Sequence, residues 1–241
     1  SRKPSDETGR EFLASTDTWF RPCGTRIGPD GALYIADMYR QFIEHPEWIP
    51  QDVIERSNLR AGEDKGRIYR VYPKGKTLRR APRLDNLSVT ELAKKLESPS
   101  GWQRDQVHRM LVEKQDDAAV LVLKDLTRKS ANPKVRLQAL CTLEGLNALS
   151  PDILISAMQD KHAAVREHAV RLSEPFLREN SPTKLPTPIV AALTNMVADR
   201  SIRVRYQLAF SLGELMDNST VANTLAEIAA RDKQNDEVIT A

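Results

Sequence analysis

Apolar positions recur at helical spacing through the second two thirds of the chain. In Lys134–Leu146, Val135, Ala139, Leu140, Leu143 and Leu146 fall on one face, while Arg136, Gln138 and Glu144 point elsewhere. The opening Val-Arg of that helix returns as Val165-Arg166 and Val204-Arg205, at intervals of 30 residues (135 to 165) and 39 residues (165 to 204). A weaker copy surrounds Arg104, and the start of a fifth stands at Glu237-Val238. Ser88 with Glu91 makes a capping box that opens the helical region. From there the pattern predicts helices over about 89–98 and 102–113, 116–129 and 134–147, 151–160 and 163–179, 187–199 and 201–216, then 219–231. Ser181–Pro188 lengthens one connection and accounts for the longer interval.

Self-similarity at such a period is the mark of a stacked helical repeat. The Val-Arg spacing resembles that of HEAT repeats, in which this pair opens the second helix of each hairpin. The resemblance implies a mainly α fold, a right-handed HEAT-repeat α-solenoid over 87–241 with four hairpins and a truncated fifth. Since each repeat buries its apolar face on the next, the truncated fifth predicts that further repeats follow.

The first 75 residues follow another period. Gly28-Pro29-Asp30-Gly31 is a turn between two short strand candidates, and Ala32–Ala36 alternates as a strand. Gly66–Tyr72 alternates too, with Ile68, Arg70 and Tyr72 on one face and Tyr69 and Val71 on the other. Three strands alone are marginal in water and call for neighbours. Lys76–Asn86 is basic, proline-flanked and aperiodic, and reads as a linker between the two parts.

A strand ending in Asp37, followed by Gly66-Arg67-Ile68-Tyr69-Arg70-Val71, resembles one blade of the β-propellers of soluble sugar dehydrogenases. Residues 38–65 are inserted between them. With Asp37-Met38-Tyr39-Arg40 and Ile43–Pro50, the insert resembles the large planctomycete proteins named membrane-bound dehydrogenases. Those proteins join a dehydrogenase-like propeller to HEAT repeats and then, usually, to a cytochrome c haem domain. The resemblance implies that residues 1–75 are a partial blade and that Asp37, Tyr39, Arg40, Glu44 and His45 face the substrate or cofactor end of a complete propeller. It also implies an exported or periplasmic parent oxidising sugars or alcohols with haem c and pyrroloquinoline quinone. The chain itself has no Cys-x-x-Cys-His motif, so no cofactor and no catalysis are expected of it alone.

Composition narrows the alternatives. A net charge of +3, with 36 basic and 33 acidic residues interspersed, argues against a nucleic-acid surface. The tryptophans Trp19, Trp48 and Trp102 do not cluster with an acid, as base extrusion on a helical-repeat glycosylase scaffold would require. No apolar run approaches the roughly 20 residues of a membrane span. The remaining functions are a scaffold fragment of a redox protein, docking a protein partner or other domains of the same polypeptide, and a stand-alone HEAT binding module.

Individual side chains have competing readings. His45, with Arg40, Glu44 and Glu47, could line a pocket that moves protons or holds a cation. The simpler reading is a proline-bracketed surface loop packed down by Ile43, Trp48 and Ile49. His108, His162 and His168 lack the i, i+4 spacing of a helical metal clamp. Cys141, on the apolar face, reads as a core residue and not a nucleophile. Arg104, Arg136, Arg166 and Arg205 should line one edge of the stack and pair with carboxylates of adjacent repeats, such as Asp160 or Asp199, in preference to phosphate.

Overall fold

The computed structural model describes residues 9, 11–178, 188–215 and 219–233. Within them the chain is mainly helical, with one small antiparallel sheet towards the N-terminus. It divides into two compact units at Pro82/Arg83. All of the predicted connection Ser181–Pro188 but its last residue, and the fifth copy at Glu237-Val238, lie outside the described residues.

In the first unit, β1 (Pro22–Ile27), β2 (Leu33–Asp37) and β3 (Arg67–Val71) form a meander in the order β1-β2-β3. The turn expected at Gly28–Gly31 closes the first hairpin, with Gly28 N–H donating to Ala32 O at 2.9 Å and Asp30 Oδ1 accepting from Ala32 N–H at 3.0 Å. Gly28 also admits the Tyr34 ring, which would lie 2.3 Å from a Cβ at that position. The sheet buries little. Ala32 and Ile35 are its deeply buried apolar side chains, β1 is exposed along its whole length, and Ile68 of β3 is 71% exposed. Between β2 and β3 lie a short 3-10 turn (Pro46–Trp48) and α1 (Gln51–Arg56). Part of the expected linker belongs to this unit, because Arg79 N–H donates to Asp30 O at 3.2 Å.

The second unit begins with α2 (Val89–Lys94), where the Ser88/Glu91 capping box forms in full. There follow α3 (Gly101–Lys114), α4 (Val120–Lys129), α5 (Pro133–Gly145), α6 (Pro151–Met158), α7 (Ala163–Arg171), α8 (Glu174–Arg178), α9 (Pro188–Thr194), α10 (Ile202–Leu212) and α11 (Ser219–Lys233). The expected long helix over 163–179 breaks at Leu172-Ser173. Pro175 lacks an N–H and clashes with the preceding turn, so α8 has to start afresh. Sequence neighbours pack as pairs, α2 on α3, α4 on α5 and α6 on α7. The second members α3, α5, α7 and α10 then contact one another in succession, as do the first members α2, α4, α6 and α9. One apolar core runs between these two layers from Leu84 to Ile228, and Val135, Ala139, Leu140 and Leu143 are fully buried in it. At about 25 cal/mol per Å² of apolar surface removed from water, this continuous core is what holds short helices that would be marginal alone.

Candidate functional site

The five residues expected at the propeller mouth divide into two groups. Asp37 ends β2 with its side chain fully buried. Its Oδ1 accepts from the backbone N–H groups of Arg21 at 2.7 Å and Tyr39 at 3.0 Å, which turns the chain sharply after the strand. Its Oδ2 has no hydrogen-bond partner, and the nearest cation, Arg67 Nε, is 3.9 Å away. Tyr39 takes a left-handed backbone (φ 49), rare for a bulky residue. Gly62 makes room for it, since a Cβ there would stand 2.2 Å from Tyr39 O.

The Tyr39 ring is held on three sides. Its hydroxyl donates to Asp17 Oδ2 at 2.8 Å, the Arg67 guanidinium lies 3.7 Å from the ring centroid, and Trp19 packs at 5.7 Å. The hydrogen bond to Asp17 raises the phenol above its ordinary pKa. The Trp19 backbone N–H, followed by Tyr39, holds the Asp17 carboxyl below the usual range. A phenol kept protonated beneath a cation and beside a carboxylate can bind an oxygen-rich ligand or stiffen a loop.

Arg40 adjoins this group by its backbone, donating N–H to Trp19 O at 3.1 Å, and its guanidinium turns to Arg60 O at 2.9 Å. Glu44 and His45 do something else. Glu44 accepts from Ile43 N–H at 3.1 Å, and this local backbone donation, first from Glu44 itself and then from Ile43, lowers its carboxyl pKa. His45 caps the Pro46–Trp48 turn, its Nδ1 accepting from Glu47 N–H at 3.3 Å. No hydrogen bond or ion pair joins Glu44 or His45 to Asp37 or Tyr39 among the described residues. Ile43 and Trp48, expected to pack the loop down, are 56% and 76% exposed. The loop satisfies part of its own backbone through bonds such as Trp48 N–H to His45 O.

Sequence reasoning missed Asp17 and Arg67, and it missed Asp30. Asp30 accepts from Tyr34 Oη at 3.0 Å and is paired with Arg70. Burial pushes its carboxyl up, but the Ala32 N–H, Tyr34 and Arg70 outweigh burial and hold it low. The Asp30/Tyr34 spacing was a visible signal. The Asp37↔Arg67 pairing was not, because it depends on the register of β2 against β3.

Of the arginine series, Arg136 and Arg166 pair with carboxylates as expected, and Arg104 pairs with none among the described residues. Arg136 grips Asp160 with both prongs, Nε to Oδ2 at 2.6 Å and Nη2 to Oδ1 at 2.7 Å, while Nη1 donates to Ser130 O at 2.9 Å. Arg166 repeats this on Asp199 at 2.7 and 2.8 Å, with Nη1 on Asp160 O at 2.9 Å. Each carboxylate also accepts the backbone N–H two residues on, from His162 and Ser201 at 2.7 and 2.8 Å. Burial raises Asp160 and Asp199, yet the arginine and backbone hydrogen bonds overcome it and leave both below the usual carboxylate range. These arginines are fork-bound to protein carboxylates and are not presented to phosphate. Elsewhere in the unit, burial is the main influence raising the Cys141 thiol pKa, which makes it a poor nucleophile.

Among the described residues no group of three or more His, Cys, Asp and Glu could hold a metal ion, and no helix is long and apolar enough to cross a membrane. Residues 1–75 match a family described as a domain of unknown function (DUF7133). A human protein, the adipocyte plasma membrane-associated protein, is 28% identical over 112 residues, which is 45% of this chain and 24% of the human protein. The chain therefore spans about a quarter of the length of that relative.

Proposed function

We propose that the chain is a non-catalytic scaffold segment of a larger dehydrogenase-like redox protein. On this reading the helical unit is a HEAT-repeat solenoid, and the sheet with its insert is part of a propeller blade. The observation that carries the solenoid is the repeated rung. The Arg136 and Arg166 forks recur one hairpin apart and tie consecutive hairpins together with the same atoms. The sheet adds support from the opposite direction. Among the described residues both its outer strands have open edges and exposed apolar side chains, Ile27 at 53% and Ile68 at 71%, a condition that further strands would relieve. Sugar or alcohol oxidation, haem c and pyrroloquinoline quinone are proposed for the parent, as is an exported or periplasmic location. The Asp37/Tyr39/Arg67 cluster is placed at the substrate or cofactor end of its propeller.

The experiment is made on two proteins. The chain alone, supplied with pyrroloquinoline quinone and an artificial electron acceptor, should oxidise none of a panel of sugars and alcohols. The native full-length product should carry covalent haem by intact mass and should turn over. A native product with neither haem nor turnover would sink the redox reading.

A second reading, a protein-binding module, is favoured by one feature of α10. Ile202, Tyr206 and Phe210 recur at i, i+4 and i+8 and are 41%, 65% and 61% exposed. Beside them opens a groove of about 380 Å³ lined by Glu167, Ile202, Arg203, Tyr206 and Gln207. Large exposed aromatics on one helical stripe are the composition of an interface core.

A further inference from the structure

We propose that the first rung of the helical unit is completed by a small monovalent inorganic anion of chloride size, bound between Arg104 and Ser130. Each arginine of the series donates Nη1 to a carbonyl six residues earlier: Arg104 to Ser98 at 2.8 Å, Arg136 to Ser130 at 2.9 Å, Arg166 to Asp160 at 2.9 Å and Arg205 to Asp199 at 2.7 Å. In Arg136 and Arg166 this anchor leaves the other edge, Nε with Nη2, facing the next hairpin. Arg136 and Arg166 meet the carboxylates of Asp160 and Asp199 there. The position that corresponds for Arg104 is Ser130, which has no charge.

The consequence is visible at atomic level. Arg104 is 9% exposed, and its Nε is buried without a hydrogen-bond partner among the described residues. No acidic group pairs with Arg104 among the described residues; the adjacent Asp105 is exposed and accepts instead from Gln138 Nε2 at 2.9 Å. A buried guanidinium with no counter-charge is strongly unfavourable, because the desolvation of the ion is not offset. Ser130 is itself 8% exposed, and its Oγ accepts from Asn132 N–H at 3.3 Å, the role that the Asp160 carboxylate plays towards His162. The Ser130 hydroxyl proton remains available to an anion. Replacing a carboxylate by a hydroxyl vacates only about the room of one or two oxygens, which suits a halide better than phosphate or an organic acid. Two N–H donors from the fork edge and one O–H donor would surround it.

The test compares the chain with its Ser130→Asp variant, which supplies the missing carboxylate in the form the later rungs use. Thermal unfolding is followed at constant ionic strength while sodium gluconate, whose anion is too large to enter, is replaced by sodium chloride. The wild-type chain should gain about 3–6 °C in Tm as chloride reaches some ten times its dissociation constant, and Ser130→Asp should gain nothing beyond the change common to both salts. General salt effects act on the two proteins alike and cancel in the difference. A bromide-soaked crystal of the wild-type chain should show an anomalous peak against Arg104 Nε, which keeps the proposal testable should the variant fold poorly. An equal response in the two proteins, or a bromide derivative with only water against Arg104, overturns it.

Discussion

Two aspartates largely withdrawn from water, one in each unit, hold their surroundings in different ways. Asp160 has both oxygens engaged, by the two prongs of Arg136 and by the His162 N–H, and it joins one hairpin to the next. Asp37 is the more deeply buried of the two, but only Oδ1 is engaged, and Arg67 stands 3.9 Å from the other oxygen. In the helical unit a buried charge is spent on building the fold. In the sheet unit one carboxylate oxygen is left without a hydrogen-bond partner among the described residues, beside a tyrosine in a left-handed backbone.

The sharpest way to break this comparison is to remove the charge of Asp160. Asp160→Asn leaves the guanidinium of Arg136 buried without a carboxylate, and it should cost about 3–5 kcal/mol in urea unfolding. Replacing both partners, as Arg136→Met with Asp160→Leu, should return much of that loss. A cost below about 1 kcal/mol would mean that the rung is ornamental. Acid should act in the same direction. Asp160 and Asp199 titrate lower in the folded chain than in the unfolded one, so the rungs contribute fully above the ordinary carboxylate pKa. That contribution is lost as pH falls through the folded values.

Asp37→Asn sharpens the contrast. Asparagine keeps the oxygen that receives the Arg21 and Tyr39 N–H groups and changes only the atom that has no partner. The expected cost is about 1–2 kcal/mol, from weaker, uncharged hydrogen bonds. Hydrogen exchange at the Arg21 and Tyr39 amides reads it locally. A loss equal to that of Asp160→Asn would show that Asp37 is structural in the same sense.

These differences also decide what the sequence could reveal. The helices of the second unit were legible because Val135, Val165 and Val204 recur with an arginine at a fixed place, and the carboxylates at 160 and 199 stand one hairpin further on. Arg104 was expected to pair like the others; Ser130, in the same frame, is the residue that overturns this. The break at Ser173, which the expected helix over 163–179 passes over, has its signal in Pro175. In the first unit the strands followed from alternation and the Gly28–Gly31 turn. The Asp37/Tyr39/Arg67 cluster did not, since Arg67 reaches Asp37 only through the β2/β3 register across the inserted residues 38–65, and Tyr39 is left-handed only because Gly62 lets its carbonyl approach. Local pattern carries periodic packing. It carries poorly any contact that a long insertion has to close.

The smallest expected effect concerns His168 on α7, whose Nδ1 is buried without a hydrogen-bond partner. Burial, then the charge of Arg171 with a further contribution from Arg203, lowers its pKa, against the opposing pull of Glu167 and Glu144. The imidazole is therefore neutral in the fold at pH values where the unfolded chain, near 6.5, has begun to take up protons. Stability from this group is complete above the unfolded value and declines as pH falls below it towards the folded one. Urea midpoints at pH 7.5 and 5.5 should differ more for the wild-type chain than for His168→Gln, which cannot titrate. Such a slope belongs to the helical unit but not to its rungs, whose carboxylates stay ionised throughout that interval. An identical pH dependence in the two proteins would mean that His168 can swing its ring into water on protonation, and that the face of α7 which holds it is looser than the rungs beside it.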